Sequence, residues 1–210
     1  MSKEQLHNLY EIRYLMEKSS RFLSLSGLSG VSAGIIALIG AAVAFFYLNF
    51  DERYLSISHH LNDSILLKMQ SDIVFLMLDA ILMLILALAA GLYFTTRKAR
   101  KKGLKVWDST AKRLLVNLFL PLSAGGIFCL ILLYHGIIFL VAPATLLFYG
   151  LALINASKYT LPDIRYLGIS EILLGLIGSV FTGYGLIIWA VGFGILHIVY
   201  GTVMYFKYEH

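Results

Sequence analysis

The chain of 210 residues has few charges, three prolines and a single cysteine. Only 14% of its residues are charged and 59% are hydrophobic, whereas a typical soluble domain has about 25% charged and about 45–50% apolar residues. This shortage of charge argues against a soluble enzyme and against a nucleic-acid-binding domain, despite a net charge of +5. The lone Cys129 excludes an intrachain disulfide and a thiolate metal cage. The composition therefore predicts an all-α membrane protein.

Six apolar runs fill most of the chain, and a transmembrane helix needs about 20 such residues. None of the runs alternates with a period of two, so a membrane β-barrel is not predicted. We expect one six-helix transmembrane domain over residues 22–206, after a cytoplasmic amphipathic helix within residues 1–21 and before a tail at 207–210. The predicted spans are residues 22–50, 73–96, 114–134, 137–156, 166–182 and 185–206.

Lysine and arginine concentrate in the cytoplasmic connections of membrane proteins, so their placement predicts the orientation. Only Arg53 and Lys68 lie in the predicted outer loop, residues 51–72. The other 15 lie at the opposite side, so we expect both termini in the cytoplasm and the spans paired into three hairpins. Those 15 residues occupy the N-terminal segment, the basic loop 97–113, residues 157–165 and the tail.

The basic loop has a second predicted role beside fixing the topology. Basic residues near an anionic membrane surface contribute about 1 kcal/mol each to lipid attraction. Because the loop is short and adjoins the bilayer, we expect it to bind anionic headgroups on the cytoplasmic side and no nucleic acid. The predicted headgroup ligands are Arg97, Lys98, Arg100, Lys101, Lys102 and Lys105.

Small residues form a stripe along one face of the first span, at Gly30, Gly34, Ala37 and Ala41. In a bilayer, small residues mark the faces on which helices approach closely. The stripe is therefore predicted to be a packing face. Its partner is either another span of this chain or another protein, which would be a second copy or a different membrane protein.

Glu171 in the fifth span and His197 in the sixth are the candidate functional residues. Each lies 13 residues from Tyr184 in the intervening turn, which predicts the same depth and mutual contact. An unpaired charge at this depth costs about 3 kcal/mol, and a carboxylate beside an imidazole reduces that cost. We expect either a structural hydrogen bond or a proton-handling or ligand site. Small residues are predicted to bring the two helices face to face, namely Gly168, Gly175, Gly178, Ala190, Gly194 and Gly201.

Four other polar residues are secondary candidates. Asp79 is expected near the outer interface, Asn117 and Ser123 in the third span, and Asn155 near the cytoplasmic end of the fourth. No cofactor, metal site or catalytic motif is predicted. His59, His60 and Asp63 have the right chemistry for a metal, but adjacent histidines rarely point the same way. The residues named in this paragraph are therefore secondary candidates beside Glu171 and His197.

The run MEKSSRFLSLSGLSGVSAG, residues 16–34, resembles the opening of an uncharacterised group of bacterial six-span inner-membrane proteins. The resemblance is clearest over that run. It implies a multi-pass protein of the bacterial inner membrane. Because no activity is assigned to that group, it implies no functional residues.

Three functions follow from these observations. The favoured one is transport or small-ligand binding through Glu171 and His197, without enzymatic activity. The second is a non-catalytic structural or regulatory protein that docks partners through the stripe of the first span. The third is a lipid-modifying enzyme that uses the same two residues as acid and base.

The orientation is tested by cysteine labelling of Lys3→Cys and His210→Cys, with Cys129 replaced. Because basic residues are retained on the cytoplasmic side, we expect neither cysteine to react with an impermeant reagent in intact cells, and both to react after permeabilisation. Labelling of either one from outside in intact cells would contradict the predicted orientation.

Overall fold

The computed structural model describes Gln5, His7 and residues 25–55, 62–103 and 107–209, and over these residues its regular structure is entirely helical. The predicted amphipathic helix lies outside the described residues, except that Gln5 and His7 are helical. The α-helices are α1 (Gly27–Leu55), α2 (Asn62–Lys101), α3 (Ser109–Tyr134), α4 (Val141–Ala156), α5 (Asp163–Val180), α6 (Gly185–Trp189) and α7 (His197–Tyr208). A π-helical segment, Ala190–Leu196, joins α6 to α7, and these three elements are called the last helix below.

Five helical stretches are long and apolar enough to cross a membrane. They agree with the prediction of an all-α chain of the membrane class. The helix α5 is not among them, since its 18 residues include Asp163, Arg165 and Glu171. Six spans therefore remain a prediction. The five stretches are Gly27–Leu48, Gln70–Lys101, Ser109–Tyr134, Ile138–Tyr159 and Thr182–Tyr208.

The helices extend beyond the predicted spans. Most of the predicted outer loop is helical, because α1 continues to Leu55 and α2 begins at Asn62. The first five residues of the basic loop, 97–101, likewise belong to α2, which ends at Lys101. At the other end of that loop, the Asp108 side chain accepts a hydrogen bond of 2.6 Å from the backbone N–H of Ala111 and so begins α3. Helices do not have to end where an apolar run ends, which explains the differences.

The small-residue stripe of α1 packs against the last helix of the same chain. A Cβ atom added to Gly30 would lie 3.1 Å from Gly201 Cα, and one added to Gly34 would lie 2.6 Å from the carbonyl oxygen of Gly194. Further along the stripe, Ala37 and Ala41 are buried. The two backbones approach closely only because these positions are small. The partner of the stripe is therefore intrachain.

The predicted face-to-face contact of the small residues on α5 and the last helix is wrong for most of them. Gly168 packs on α4, where its Cβ would lie 2.8 Å from the carbonyl oxygen of Gly150. Gly175 also meets α4, at Pro143 and Leu147. On the last helix, the small residues at 194 and 201 face α1 instead. Glycine permits close approach to any neighbour, so its presence identifies a packing face without identifying the partner.

Polar contacts join four helix termini at one end of the bundle. The Glu209 carboxylate, just after α7, accepts a hydrogen bond of 2.5 Å from the backbone N–H of Gly27 and further bonds from the Ser26 hydroxyl. Lys98 near the end of α2 donates to the Leu25 carbonyl at 2.6 Å and lies 3.4 Å from Glu209. The start of α5 is attached through Asp163, which pairs with Lys207 at 3.0 Å and accepts from the Tyr208 hydroxyl at 2.6 Å. These bonds fix the ends of α1, α2, α5 and α7 relative to one another.

Gly34→Ala tests the crossing of α1 and the last helix. The added methyl group would clash with the Gly194 carbonyl oxygen as well as with the Ile198 side chain, and the backbone oxygen cannot move aside cheaply, so we expect a loss of about 1–3 kcal/mol in the free energy of unfolding. The measurement is unfolding in mild detergent. Gly126→Ala in α3 is the matched control, because nothing lies within 4 Å of its added Cβ. Equal stability of the two variants would contradict the close crossing.

Candidate functional site

Glu171 is enclosed between α5, α4 and the last helix. Its exposed fraction is 0%, and it is one of the largest fully buried side chains among the described residues. Neither carboxyl oxygen has a hydrogen-bond partner within the described part of the chain. Leaving a buried polar group unpaired costs on the order of 1–3 kcal/mol, and a charged group costs more. Such a group is therefore not explained by stability.

His197, the first residue of α7, faces this carboxyl. Its Nδ1 atom lies 3.4 Å from Oε1 of Glu171, so the structure brings together the two residues that lie equidistant from Tyr184. His197 is 6% exposed. The two buried side chains therefore form one polar site between α5 and the last helix.

The hydrogen bonds of His197 assign the proton of the neutral ring. Its Nδ1 lies 3.0 Å from the carbonyl oxygen of Gly192, which only accepts, so Nδ1 carries a proton. Its Nε2 lies 2.8 Å from the hydroxyl of Tyr149 on α4, and in the neutral ring this nitrogen accepts from that hydroxyl. Two acceptors, the Gly192 carbonyl and the Glu171 carboxyl, thus compete for one N–H group.

Gly192 provides the space that the Glu171 carboxyl occupies. A Cβ atom at this position would lie 2.5 Å from Oε2 of Glu171 and 2.5 Å from a methyl group of Leu146. Gly192 belongs to the π-helical segment, and short π-helical stretches within α-helices are frequent at functional sites. Here Gly192, which has no side chain, lies against the Glu171 carboxyl, and its backbone carbonyl lies against His197.

Aromatic rings line the histidine side of the site. The His197 ring stacks on Phe193 with 5.8 Å between centroids, and Phe193 contacts Trp189 at 4.9 Å. Tyr149 packs against both His197 and Phe193. These rings hold the imidazole in one orientation. They also present apolar surface, so the polar atoms of the site interact with one another.

The secondary candidates do not converge on this site. Asp79 lies on α2 near Gly40 of α1, where its Oδ2 would be 3.3 Å from an added Cβ. Asn117 and Ser123 donate to carbonyls of their own helix, at Arg113 and Leu120. Asn155 donates to the Asn117 carbonyl at 2.9 Å and so joins α4 to α3. The hydrogen bonds of the three neutral residues are structural.

The predicted headgroup ligands divide into two groups. Arg97, Arg100, Lys101 and Lys102 are exposed, as headgroup contact requires. Lys98 does not fit that prediction, because it is 6% exposed and is held by Leu25 and Glu209. The contact with Glu209, near the C-terminus, is long-range and cannot be predicted from the number of charges in the loop. Lys105 lies outside the described residues.

Sequence reasoning missed Tyr149 and Gly192. The only sequence signal for Gly192 was its position five residues before a buried histidine, and Tyr149 carried none. Over the residues whose positions are described, no group of three or more His, Cys, Asp or Glu side chains could hold a metal ion. His59 and His60 lie outside those residues.

Comparison of this chain with protein-family models, curated proteins and solved structures found no match. The geometry of the site therefore carries the functional argument by itself.

A double-mutant cycle measures whether Glu171 and His197 depend on each other. Each of Glu171→Ala and His197→Ala should lower the free energy of unfolding, because Glu171→Ala empties a fully buried position and His197→Ala removes the group beside the carboxyl and the partner of the Tyr149 hydroxyl. The double variant should lose less than the sum, with a coupling of about 0.5–3 kcal/mol. Additive losses would contradict an interaction across the 3.4 Å contact.

Proposed function

We propose that the protein is a membrane transporter of a small solute, and that Glu171 and His197 form its ion-coupling site. The observation that carries the proposal is the fully buried Glu171 carboxyl with two unpaired oxygens beside a buried histidine. Ionisable groups at membrane depth are expensive and are typical of substrate or ion pathways. A purely structural pair would be expected to satisfy the carboxyl oxygens.

The position of the site supports a coupling role. Glu171 belongs to α5, which packs on α4, whereas His197 belongs to the last helix, which packs along α1. The site therefore lies where two helix pairs meet. A change of charge there acts on both pairs, and transporters alternate between states by moving one group of helices against another.

The alternative of partner docking through the α1 stripe has lost support. The stripe is covered by the last helix of the same chain, at Gly194 and Gly201. The lipid-modifying enzyme remains an alternative that none of the observed contacts favours. It would use Glu171 and His197 as acid and base.

We further propose the bacterial inner membrane as the location, with six spans and both termini in the cytoplasm. None of the most apolar stretch of α2 is buried within the chain, which fits a face in contact with lipid. The exposed basic residues at the end of α2 would then lie among anionic headgroups. The polar contacts around Glu209 would lie on the same, cytoplasmic side.

Transport is tested with the purified full chain in liposomes under an imposed pH gradient and, separately, under an imposed sodium gradient. The liposomes are incubated with a defined mixture of amino acids, sugars, nucleosides and vitamins, and the accumulated solutes are identified by mass spectrometry. We expect at least one solute to accumulate only with one of these gradients, and Glu171→Gln to abolish this because it removes the ionisable group.

Ser123→Ala is the control variant, because its hydroxyl bonds only to its own helix at Leu120. It should accumulate the same solute as the original chain. If no solute accumulates above protein-free liposomes with either direction of either gradient, or if Glu171→Gln transports normally, the proposed function is wrong.

A further inference from the structure

We propose that the ligand of the Glu171 carboxyl is a proton, delivered from Tyr149 through His197. This inference rests on the proposed function, because it names the coupling ion of the same site. It adds Tyr149 as a positioned proton-transfer group, and the Gly192 carbonyl as the group whose hydrogen bond to His197 changes on transfer.

The space around the carboxyl favours a proton over a metal cation. Oε2 fills the room that the missing side chain of Gly192 leaves, and Leu146 closes that side with 0% exposure. Hard cations need several oxygen ligands, about six for Mg²⁺ and six to eight for Ca²⁺. The neighbouring Gly192 carbonyl already accepts from His197 Nδ1, and this N–H group, 3.4 Å from Oε1, presents a positive dipole to a cation rather than an oxygen ligand. A proton needs neither space nor further ligands.

Within the described part of the chain, the contacts around Glu171 offer a route for that proton through His197. Both carboxyl oxygens are buried, so water does not reach them directly in this conformation. His197 lies 3.4 Å away on one side, and its other ring nitrogen meets the Tyr149 hydroxyl at 2.8 Å. Among the described residues, the titratable groups of this site besides Glu171 are His197 from the last helix, which faces the carboxyl, and Tyr149 from α4, which faces His197. These three groups form a line from α5 through the last helix to α4.

The transfer adds one proton to the site and changes no oxidation state. In the starting state Glu171 is ionised and His197 is neutral with its proton on Nδ1. A hydronium ion gives a proton to the Tyr149 oxygen while the hydroxyl proton of Tyr149 passes to Nε2. The Nδ1–H bond then breaks as an O–H bond forms at Oε1 of Glu171. Tyr149 ends unchanged, Glu171 is neutral, and His197 is neutral with its proton on Nε2.

Loading of the proton changes the π-helical segment. In the loaded state Nδ1 has no proton, so it and the Gly192 carbonyl become two acceptors at 3.0 Å and their hydrogen bond is lost. Gly194, which follows Gly192 by two residues in the π-helical segment, packs against Leu38 of α1. The proton thus acts on the part of the last helix that contacts α1, which links ion binding to helix packing.

The ligand is identified by infrared difference spectroscopy of the full chain in lipid, with protons as the only probe in sodium-free buffer. Lowering the pH should produce a C=O band of a protonated carboxyl that shifts in D₂O and disappears in Glu171→Gln. Glu171→Asp keeps a carboxyl and should shift the band rather than remove it. Sodium chloride added at constant pH should leave the band unchanged. A band that sodium removes, or the absence of any band sensitive to both substitutions, would overturn the assignment.

The route is tested with Tyr149→Phe, which keeps the ring and removes the hydroxyl. The final amplitude of the band should be unchanged, but its rate of appearance after a pH jump should fall by about 100-fold, the lower end of what a positioned proton-transfer group contributes. Tyr200→Phe is the matched control on α7, because Tyr200 packs, like Tyr149, against the cluster of buried apolar residues around Leu153 and Met204. An unchanged rate in Tyr149→Phe would show that the proton does not pass through this hydroxyl.

Nitrogen NMR of the His197 ring, assigned by the loss of its signals in His197→Ala, gives a readout on the original chain. It should show Nδ1–H at high pH and Nε2–H after loading, and a proton that stays on Nδ1 would overturn the transfer. These results separate the two proposals. A titrating carboxyl without solute transport would retain the proton site and reject the transporter. Solute transport that depends on Glu171, in a chain that shows no carboxyl band, would retain the transporter and reject the proton site.

Discussion

The contact between Glu171 and His197 is the constraint on which the rest of the structure depends. A carboxyl with 0% exposure and unpaired oxygens is costly in an apolar bundle, and its position determines what its neighbours can be. Glycine opposite Oε2 leaves the space that the carboxyl fills, because a Cβ there would lie 2.5 Å away and would displace it. The residue opposite Oε1 must be able to bear or share a proton, and His197 meets this need. The last helix presents both residues to the same side chain, Gly192 from its π-helical segment and His197 from the start of α7.

The packing of the bundle leaves this contact at a junction. The last helix approaches α1 backbone to backbone at Gly30 and Gly201, and α5 approaches α4 in the same way at Gly150 and Gly168. Such close crossings depend on van der Waals contact, since the hydrophobic effect does not drive association between helices within lipid. The junction between the two crossings contains the polar site. The proposed change in proton occupancy would therefore act where tightly packed helix pairs meet, as coupling of an ion to helix movement requires.

Much of the fold, and half of the site, could be predicted from the sequence. Apolar runs locate helices reliably, and equal distances from the turn at Tyr184 placed Glu171 and His197 together. Partners between distant helices were not predictable, because a glycine face fits any close neighbour, as Gly168 and Gly194 show. Tyr149 was missed for the same reason, since no local pattern indicates which helix flanks a histidine. Lys98 was misassigned because its partner, Glu209, is 111 residues away in the chain.

The central claim is that Glu171 and His197 touch within the membrane-embedded protein, and a direct distance measurement tests it. Solid-state NMR dipolar recoupling in lipid bilayers, between a ¹³C label at the glutamate carboxyl and ¹⁵N labels in the histidine ring, reports whether the two are in contact. The structure predicts strong dephasing from the 3.4 Å approach of Oε1 to Nδ1, lost in Glu171→Ala and in His197→Ala. The absence of dephasing in the original chain would contradict the contact and the site built on it.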